Sequence, residues 1–167
     1  FAHFFVHRNK YLRLIHKTHH SVKFLNPLST FRHSIPEKFY FSVFIGSLNS
    51  LLVVSPGVRE LVFIIINSTD IFQHANIKLK IPYFLNYIFI FPDNHLYHHS
   101  KTNLKPYGQN FGLLFSCWDI LFRTFYLPKE EINVEVGLTN DSVPKNLFKR
   151  ALFPIFSSKK ERSNPIL

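Results

Sequence analysis

The sequence predicts an all-α fold, arranged as a membrane-associated helical bundle. Ten histidines occur in 167 residues, and eight of them fall in three tight clusters at helical spacings. The twenty residues from 39 to 58 contain no charged side chain, which is about the length of a helix that crosses a bilayer. Hydrophobic residues make up 46% of the chain and include twenty Phe, which supplies enough apolar surface for one core.

The charge distribution favours a membrane surface over nucleic acid. Lys and Arg outnumber Asp and Glu by 20 to 10, and residues 1–35 contain no acid at all. Such a bias is typical of an anionic membrane surface, a juxtamembrane region or a nucleic-acid partner. Long apolar runs accompany the charge and no nucleic-acid-binding motif is present, so we expect no nucleic acid.

Cysteine usage and the chain start give two smaller expectations. The single Cys117 excludes an internal disulfide and fits a reducing compartment. Residue 1 is Phe and the chain contains no Met. We therefore expect an upstream segment to be missing.

The first half of the chain predicts three helices. Residues 1–20 lack Pro and Gly, and their histidines recur at three- and four-residue steps, which predicts one helix. The uncharged run 39–58 predicts a membrane segment, and Ser55-Pro56-Gly57 breaks it near its end, so a re-entrant hairpin and a full span are both open. Residues 60–77 predict a second apolar helix, which Pro82 follows.

The second half is more irregular. Residues 83–91 are aromatic and apolar and predict an interfacial segment, and Pro92-Asp93-Asn94 predicts a helix start just before His95. A polar loop is expected over 101–110 and an amphipathic segment over 111–126. We accordingly divide the chain into one domain, residues 1–127, and a basic C-terminal tail, residues 128–167.

The histidine clusters carry the functional prediction. They are His3-x3-His7, His16-x2-His19-His20 and His95-x2-His98-His99. On a helix, side chains at i and i+4 share one face and can reach a single ion. In H-x2-H-H the first and last histidines form such a pair. The middle histidine is rotated by about 100° about the helix axis from the last one. One helical turn can therefore serve two neighbouring metal ions.

Roles without a buried metal site fit these histidines less well. Single histidines are usually core or surface residues, and histidine tracts also form solvated faces, pH sensors or metal-scavenging tails. None of these roles accounts for a repeated pattern inside apolar helices. Without a thiolate pair, a cysteine zinc site or an iron–sulfur cluster is excluded. Eight imidazoles overfill one ion, so the clusters predict a two-metal site.

At these residues the chain resembles the fatty acid hydroxylase superfamily, which includes the sterol desaturases. Its histidine boxes have the order H-x3-H, H-x2-H-H and H-x2-H-H, and residues 16–21 and 92–100 are similar to the second and third boxes. Residues 110–112 and 118–124 resemble the asparagine-glycine and tryptophan-aspartate segments that follow. The resemblance identifies nine histidines as iron ligands: His3, His7, His16, His19, His20, His74, His95, His98 and His99.

The chain departs from the family pattern at a few positions. Phe4 and Arg123 stand where the family tends to have Arg and Gly. His33 lies slightly out of register, so we leave it out of the ligand set. Asp70 precedes His74 by four residues, and we consider it equally as a residue that orients a ligand and as a helix-packing carboxylate.

The resemblance implies an oxidoreductase with two Fe ions that hydroxylates or desaturates a lipid C–H bond. It implies O2 as co-substrate and an external electron donor such as a cytochrome or ferredoxin system. It also implies a multi-pass membrane protein with its metal site in a cytoplasmic cap, and the upstream transmembrane helices of the family are expected to be missing from this sequence. The lipid is open among fatty acid, sterol, carotenoid, ether lipid and sphingoid base. Two other classes stay open: a di-zinc hydrolase, which needs a carboxylate base, and a non-catalytic membrane metal-binding protein.

Overall fold

The computed structural model describes residues 1–102, 108–129, 132–139 and 141–157, and within these ranges it is helical, with two isolated β-bridges and no strand. The all-α prediction is thus confirmed. The predicted loop 101–110 and the tail 128–167 lie partly outside the described residues. The α-helices are α1 (Ala2–Arg8), α2 (Lys10–His20), α3 (Ile35–Leu51), α4 (Pro56–Gln73), α5 (Pro92–His98), α6 (Cys117–Leu121) and α7 (Leu147–Ala151), with short 3-10 helices at Pro27–Phe31 and Tyr83–Tyr87.

The predicted single helix over residues 1–20 is wrong, because Asn9 divides it. Asn9 has an extended backbone, and its side-chain oxygen accepts hydrogen bonds from Tyr11 N at 2.9 Å and Leu12 N at 3.2 Å. Asparagine favours this capping role over a helix interior, since its short side chain satisfies the first free N–H groups of the next helix. α1 therefore folds back against α2, and their histidines meet.

The apolar middle of the chain forms two helices joined by a turn, which we name the helical arm (α3, residues 52–55 and α4). Its turn lies at residues 52–55, where Val53 has a φ of 49°, and Pro56 opens α4 at a position that tolerates its missing N–H. Both helices begin about four residues earlier than predicted. None of the helices described in the structure combines the length and hydropathy of a membrane span.

The arm joins the rest of the protein at its base. The N-terminal end of α3 packs on α2, and α4 packs on α5 and on the 3-10 helix Pro27–Phe31. Large apolar side chains are exposed along the arm and at its turn, where Val53 is 89% exposed. The interior beneath the base is polar, because histidines and amides fill it; Leu138, Val143 and Phe153 form a small apolar core.

Segments after residue 127 pack onto the histidine-bearing part of the chain. Gly137 N donates to the carbonyl of His99 at 3.1 Å, and Ser100 bridges to Val136. Gly137 has a φ of 120°, and a Cβ there would lie 2.9 Å from the carbonyl oxygen of Val22. This region thus closes over the third histidine cluster.

Candidate metal centre

The structure brings the nine sequence-predicted histidines together at the base of the arm. They form two groups, each with one nitrogen per residue within 4.8 Å of the others. We name them the five-histidine group and the four-histidine group. The first contains His3, His7, His16, His20 and His98, and the second contains His19, His74, His95 and His99.

Helix geometry explains how the clusters divide. In α2, His16 and His20 belong to the five-histidine group and His19 to the other. In the third cluster the assignment is reversed, because His95 and His99 belong to the four-histidine group and His98 does not. This is the division expected from an i, i+4 pair with an offset middle residue. The groups are adjacent, since the rings of His20 and His99 stack with centroids 4.4 Å apart.

The ring nitrogens face one another at distances that suit shared ions. His3 Nε2 and His16 Nε2 are 3.2 Å apart, and in the other group His74 Nε2 lies 3.2 Å from the Nε2 atoms of both His19 and His95. An imidazole nitrogen binds a divalent ion at about 2.0–2.1 Å, so two ligands of one ion lie roughly 3.0–3.4 Å apart. The spacing fits bound metal.

Several of these nitrogens have no hydrogen-bond partner although they are buried. Three such unpaired atoms are the Nε2 atoms of His7, His20 and His98. Leaving a buried polar atom unpaired costs free energy, and a metal ion would remove that cost. Burial lowers the pKa of His98 to about 3 and that of His74 to about 4. A hydrogen bond to a backbone carbonyl opposes this shift in each ring, and weaker repulsion from neighbouring imidazoles adds to it. Neutral rings keep the lone pairs that metal binding requires.

Backbone carbonyls fix the orientation of three rings. Nδ1 of His3 donates to the carbonyl of Phe111 at 3.1 Å, Nδ1 of His98 to Gln109 at 2.8 Å and Nδ1 of His74 to Asp70 at 2.8 Å. A proton held on Nδ1 leaves the lone pair on Nε2, the atom that faces the group.

Glu37 was missed in the sequence and is a central residue of the site. Its carboxylate is fully buried, and Oε1 accepts from His16 Nδ1 at 2.5 Å and lies 2.9 Å from His33 Nδ1. Glu37 stands three residues after Ser34 in a capping box at the start of α3. That S-x-x-E pattern predicts a helix start but gives no sign that the carboxylate reaches a histidine 21 residues earlier.

His33 and Asp70 lie beside the two groups and belong to neither. The His33 ring stacks on His19 with centroids 4.7 Å apart and planes within 2°. The Asp70 carboxylate lies 3.5 Å from His74 Nδ1, whereas the main-chain carbonyl of Asp70 makes the shorter hydrogen bond. The orienting role considered for Asp70 is therefore filled by its backbone.

The asparagine-glycine and tryptophan-aspartate segments form a clamp behind the five-histidine group. The Asp119 carboxylate accepts from Phe111 N and Gly112 N, both at 2.7 Å, and from Thr124 Oγ1 at 2.6 Å. A Cβ on Gly112 would lie 2.7 Å from Asp119 Oδ2, so only glycine fits. The clamp holds the Phe111 carbonyl where His3 donates to it.

Asn110 extends this clamp to α5. Its side-chain nitrogen donates to the carbonyls of Asn94 at 2.8 Å and Tyr126 at 2.9 Å, and its oxygen accepts from Tyr126 N. Its φ of 54° is a left-handed conformation that asparagine tolerates better than most residues. Asn110 thus fixes the helix that carries the third histidine cluster.

The donor set is entirely imidazole. Among the described residues, neither group includes a carboxylate or a thiolate. Such a site provides neutral nitrogen ligands for two ions in a buried pocket. The neighbouring carboxylates of Glu37 and Asp70 lie beside the Nδ1 atoms of His16 and His74.

Comparisons with known proteins agree with this site. The sequence profile described as "Fatty acid hydroxylase" matches residues 1–124. The ornithine lipid hydroxylase OlsE of Rhizobium tropici is 30% identical over 142 residues, which cover 83% of this chain and 41% of that protein. The chain therefore spans about two fifths of the length of this relative. No solved structure gives a significant match.

Proposed function

This chain belongs to the fatty acid hydroxylase family, and from that membership we propose that it is part of a membrane-bound lipid oxidoreductase with two iron ions. The observation that carries the proposal is the pair of all-imidazole groups that share the helical turns of α2 and α5. Family membership supports lipid hydroxylation, and so does the similarity to a protein named as an ornithine lipid hydroxylase.

The nine grouped histidines would hold the two ions. Bound iron would supply O2 activation, with electrons from an external donor such as a cytochrome or ferredoxin system, for hydroxylation or desaturation of a lipid C–H bond. Iron is preferred to zinc because the chain belongs to a hydroxylase family. A zinc hydrolase usually needs a carboxylate base, whereas neither histidine group includes a carboxylate and the neighbouring Glu37 is held by His16 and His33.

The residues of this chain contribute orientation and water exclusion. Four acceptors hold the Nδ1 protons of ligand rings and so direct Nε2 of each ring toward the ions. They are the Glu37 carboxylate and the backbone carbonyls of Phe111, Gln109 and Asp70. Six of the nine rings are less than 4% exposed, which keeps bulk water from the site.

We further propose that the helical arm is embedded in a bilayer and that the metal site lies on its cytoplasmic side. The exposed apolar side chains of the arm are costly in water, and lipid would remove that cost. The net charge of +10 suits a protein held against anionic headgroups.

The test combines metal content with turnover in the full-length protein. We expect about two irons per chain and O2-dependent oxidation of a lipid, and we expect His19→Ala and His98→Ala to abolish the oxidation. His33→Ala is the matched control, because His33 belongs to neither group, and it should keep both irons. Full oxidation by either ligand variant would contradict the ligand set, and turnover without O2 would favour the hydrolase.

A further inference from the structure

A cleft of about 750 Å³ lies between residues 21–33 and residues 141–151, separate from the histidine groups. This volume is in the range of about 300–1,000 Å³ that small-molecule sites occupy. Its walls are strongly basic, since one acid, Asp141, faces four cationic residues: Lys23, Arg32, Lys145 and Arg150. We name it the basic cleft.

The guanidinium of Arg32 is fixed in the wall of the basic cleft. Its Nη2 donates to Ser21 Oγ at 2.8 Å, and its Nε donates to the carbonyl of Thr18 at 3.3 Å. Burial, and then the nearby charge of Arg150, lowers the pKa of Arg32. The charge of Arg150 acts against that of Arg32, and Asp141 offsets this in part. A bound anion would offset the remaining repulsion with charge-assisted hydrogen bonds.

The lining also includes apolar side chains that are open to the surroundings. Four apolar side chains of the lining are each more than half exposed to solvent: Phe24, Leu28, Phe31 and Leu147. A ligand that suits both surfaces has an anionic group and an apolar chain. A free inorganic anion would leave the apolar part of the cleft uncovered.

The position of the basic cleft also favours a lipid. Its wall includes the 3-10 helix Pro27–Phe31, and Thr30 Oγ1 donates to the carbonyl of Asp70 at 3.2 Å, near the end of α4. The cleft is therefore at the base of the helical arm. With the arm in a bilayer, this is the level at which lipid headgroups lie.

The inner end of the basic cleft approaches the metal centre. His33 lines the cleft, and its ring stacks on His19 of the four-histidine group. Two stacked imidazoles, those of His33 and His19, thus lie between the basic cleft and the interior of the four-histidine group. A lipid bound here by its headgroup would therefore lie beside the histidine site.

We propose that the basic cleft binds the anionic headgroup, a phosphate or a carboxylate, of the lipid substrate. This inference rests on the proposed function, because it takes the bound lipid for the substrate. Arg32, Arg150 and Lys145 would contact the anion, and the exposed aromatic rings at the rim would contact the first part of the apolar chain.

Binding to full-length protein in neutral detergent tests the proposal. The probes are dioctanoyl phosphatidylglycerol, dioctanoyl phosphatidylcholine and inorganic phosphate. The test variant combines Lys145→Gln with Arg150→Gln, and the matched control combines Lys10→Gln with Lys129→Gln, which are exposed lysines outside the cleft. We expect the test variant to weaken phosphatidylglycerol binding at least about tenfold, and the control less than about twofold.

The same variants separate this inference from the proposed function. With any lipid that the enzyme oxidises, the test variant should raise KM and leave kcat and iron content near the unmodified values. Equal binding by test and control variants would overturn the inference even if oxidation is normal. Inorganic phosphate that binds as tightly as phosphatidylglycerol would also overturn it, since the site would then hold a free anion. Cleft-dependent lipid binding without any oxidation would refute the proposed function alone.

Discussion

Replacement of Glu37 by Gln should weaken metal binding at the five-histidine group about tenfold. The Glu37 carboxylate accepts from His16 Nδ1 at 2.5 Å and is fully buried. A hydrogen bond to a charged group contributes about 1.5–3 kcal/mol and a neutral one about 0.5–1.5 kcal/mol. The amide keeps an acceptor oxygen and loses the charge, so the expected loss is about 1.2 kcal/mol, which is nearly tenfold.

The assay is anaerobic titration of metal-free, full-length protein with Fe(II) against a competing chelator. Asp70→Asn is the comparison, because the Asp70 carboxylate is 3.5 Å from His74 Nδ1 and the backbone carbonyl of Asp70 keeps its hydrogen bond. We expect Asp70→Asn to change the affinity less than about twofold. Gln also serves at this position of a capping box, so α3 should stay intact, which circular dichroism would verify. Unchanged affinity in Glu37→Gln, or an equal loss in both variants, would refute the orienting role of Glu37.

Three further predictions follow from the geometry. Gly112→Ala should lower the free energy of unfolding by about 1–3 kcal/mol in chemical unfolding, because the alanine Cβ would collide with the Asp119 clamp. Gly46→Ala is the control, since its Cβ would have no atom within 4 Å, and it should be neutral or stabilising by up to about 1 kcal/mol. Calorimetry should resolve two metal-binding steps, of which His7→Ala weakens one and His99→Ala weakens the other. If both variants weakened the same step, the division into two groups would be wrong. Val53→Lys at the turn of the helical arm should reduce the fraction of protein that floats with lipid vesicles. Placing a lysine within the hydrocarbon costs about 2.5–3.5 kcal/mol of insertion free energy. Unchanged flotation would argue against insertion of the turn.

Local patterns predicted much of the site because they act within one helical turn. The spacing of His16, His19 and His20 determines which two share a face, and the structure divides them in that way. Pro92 and Asn94 predicted the start of α5, and Asn94 accepts from the backbone N–H of Phe91 there. The same local reasoning failed at Asn9, where an internal cap outweighed the helical periodicity of residues 1–20.

The all-α class and the three histidine clusters could be predicted from the chain alone, because both depend on the order and spacing of neighbouring residues. The resemblance of these motifs indicated the family and added His74 to the predicted ligands. Spacing predicts how each cluster divides, but the assembly of the clusters into groups of five and four required the folded chain, since His3, His74 and His98 meet the other rings through contacts between distant segments. The folded chain also decided the role of Glu37, which reaches across 21 residues to His16. Packing between helices sets such contacts, and no local pattern encodes them.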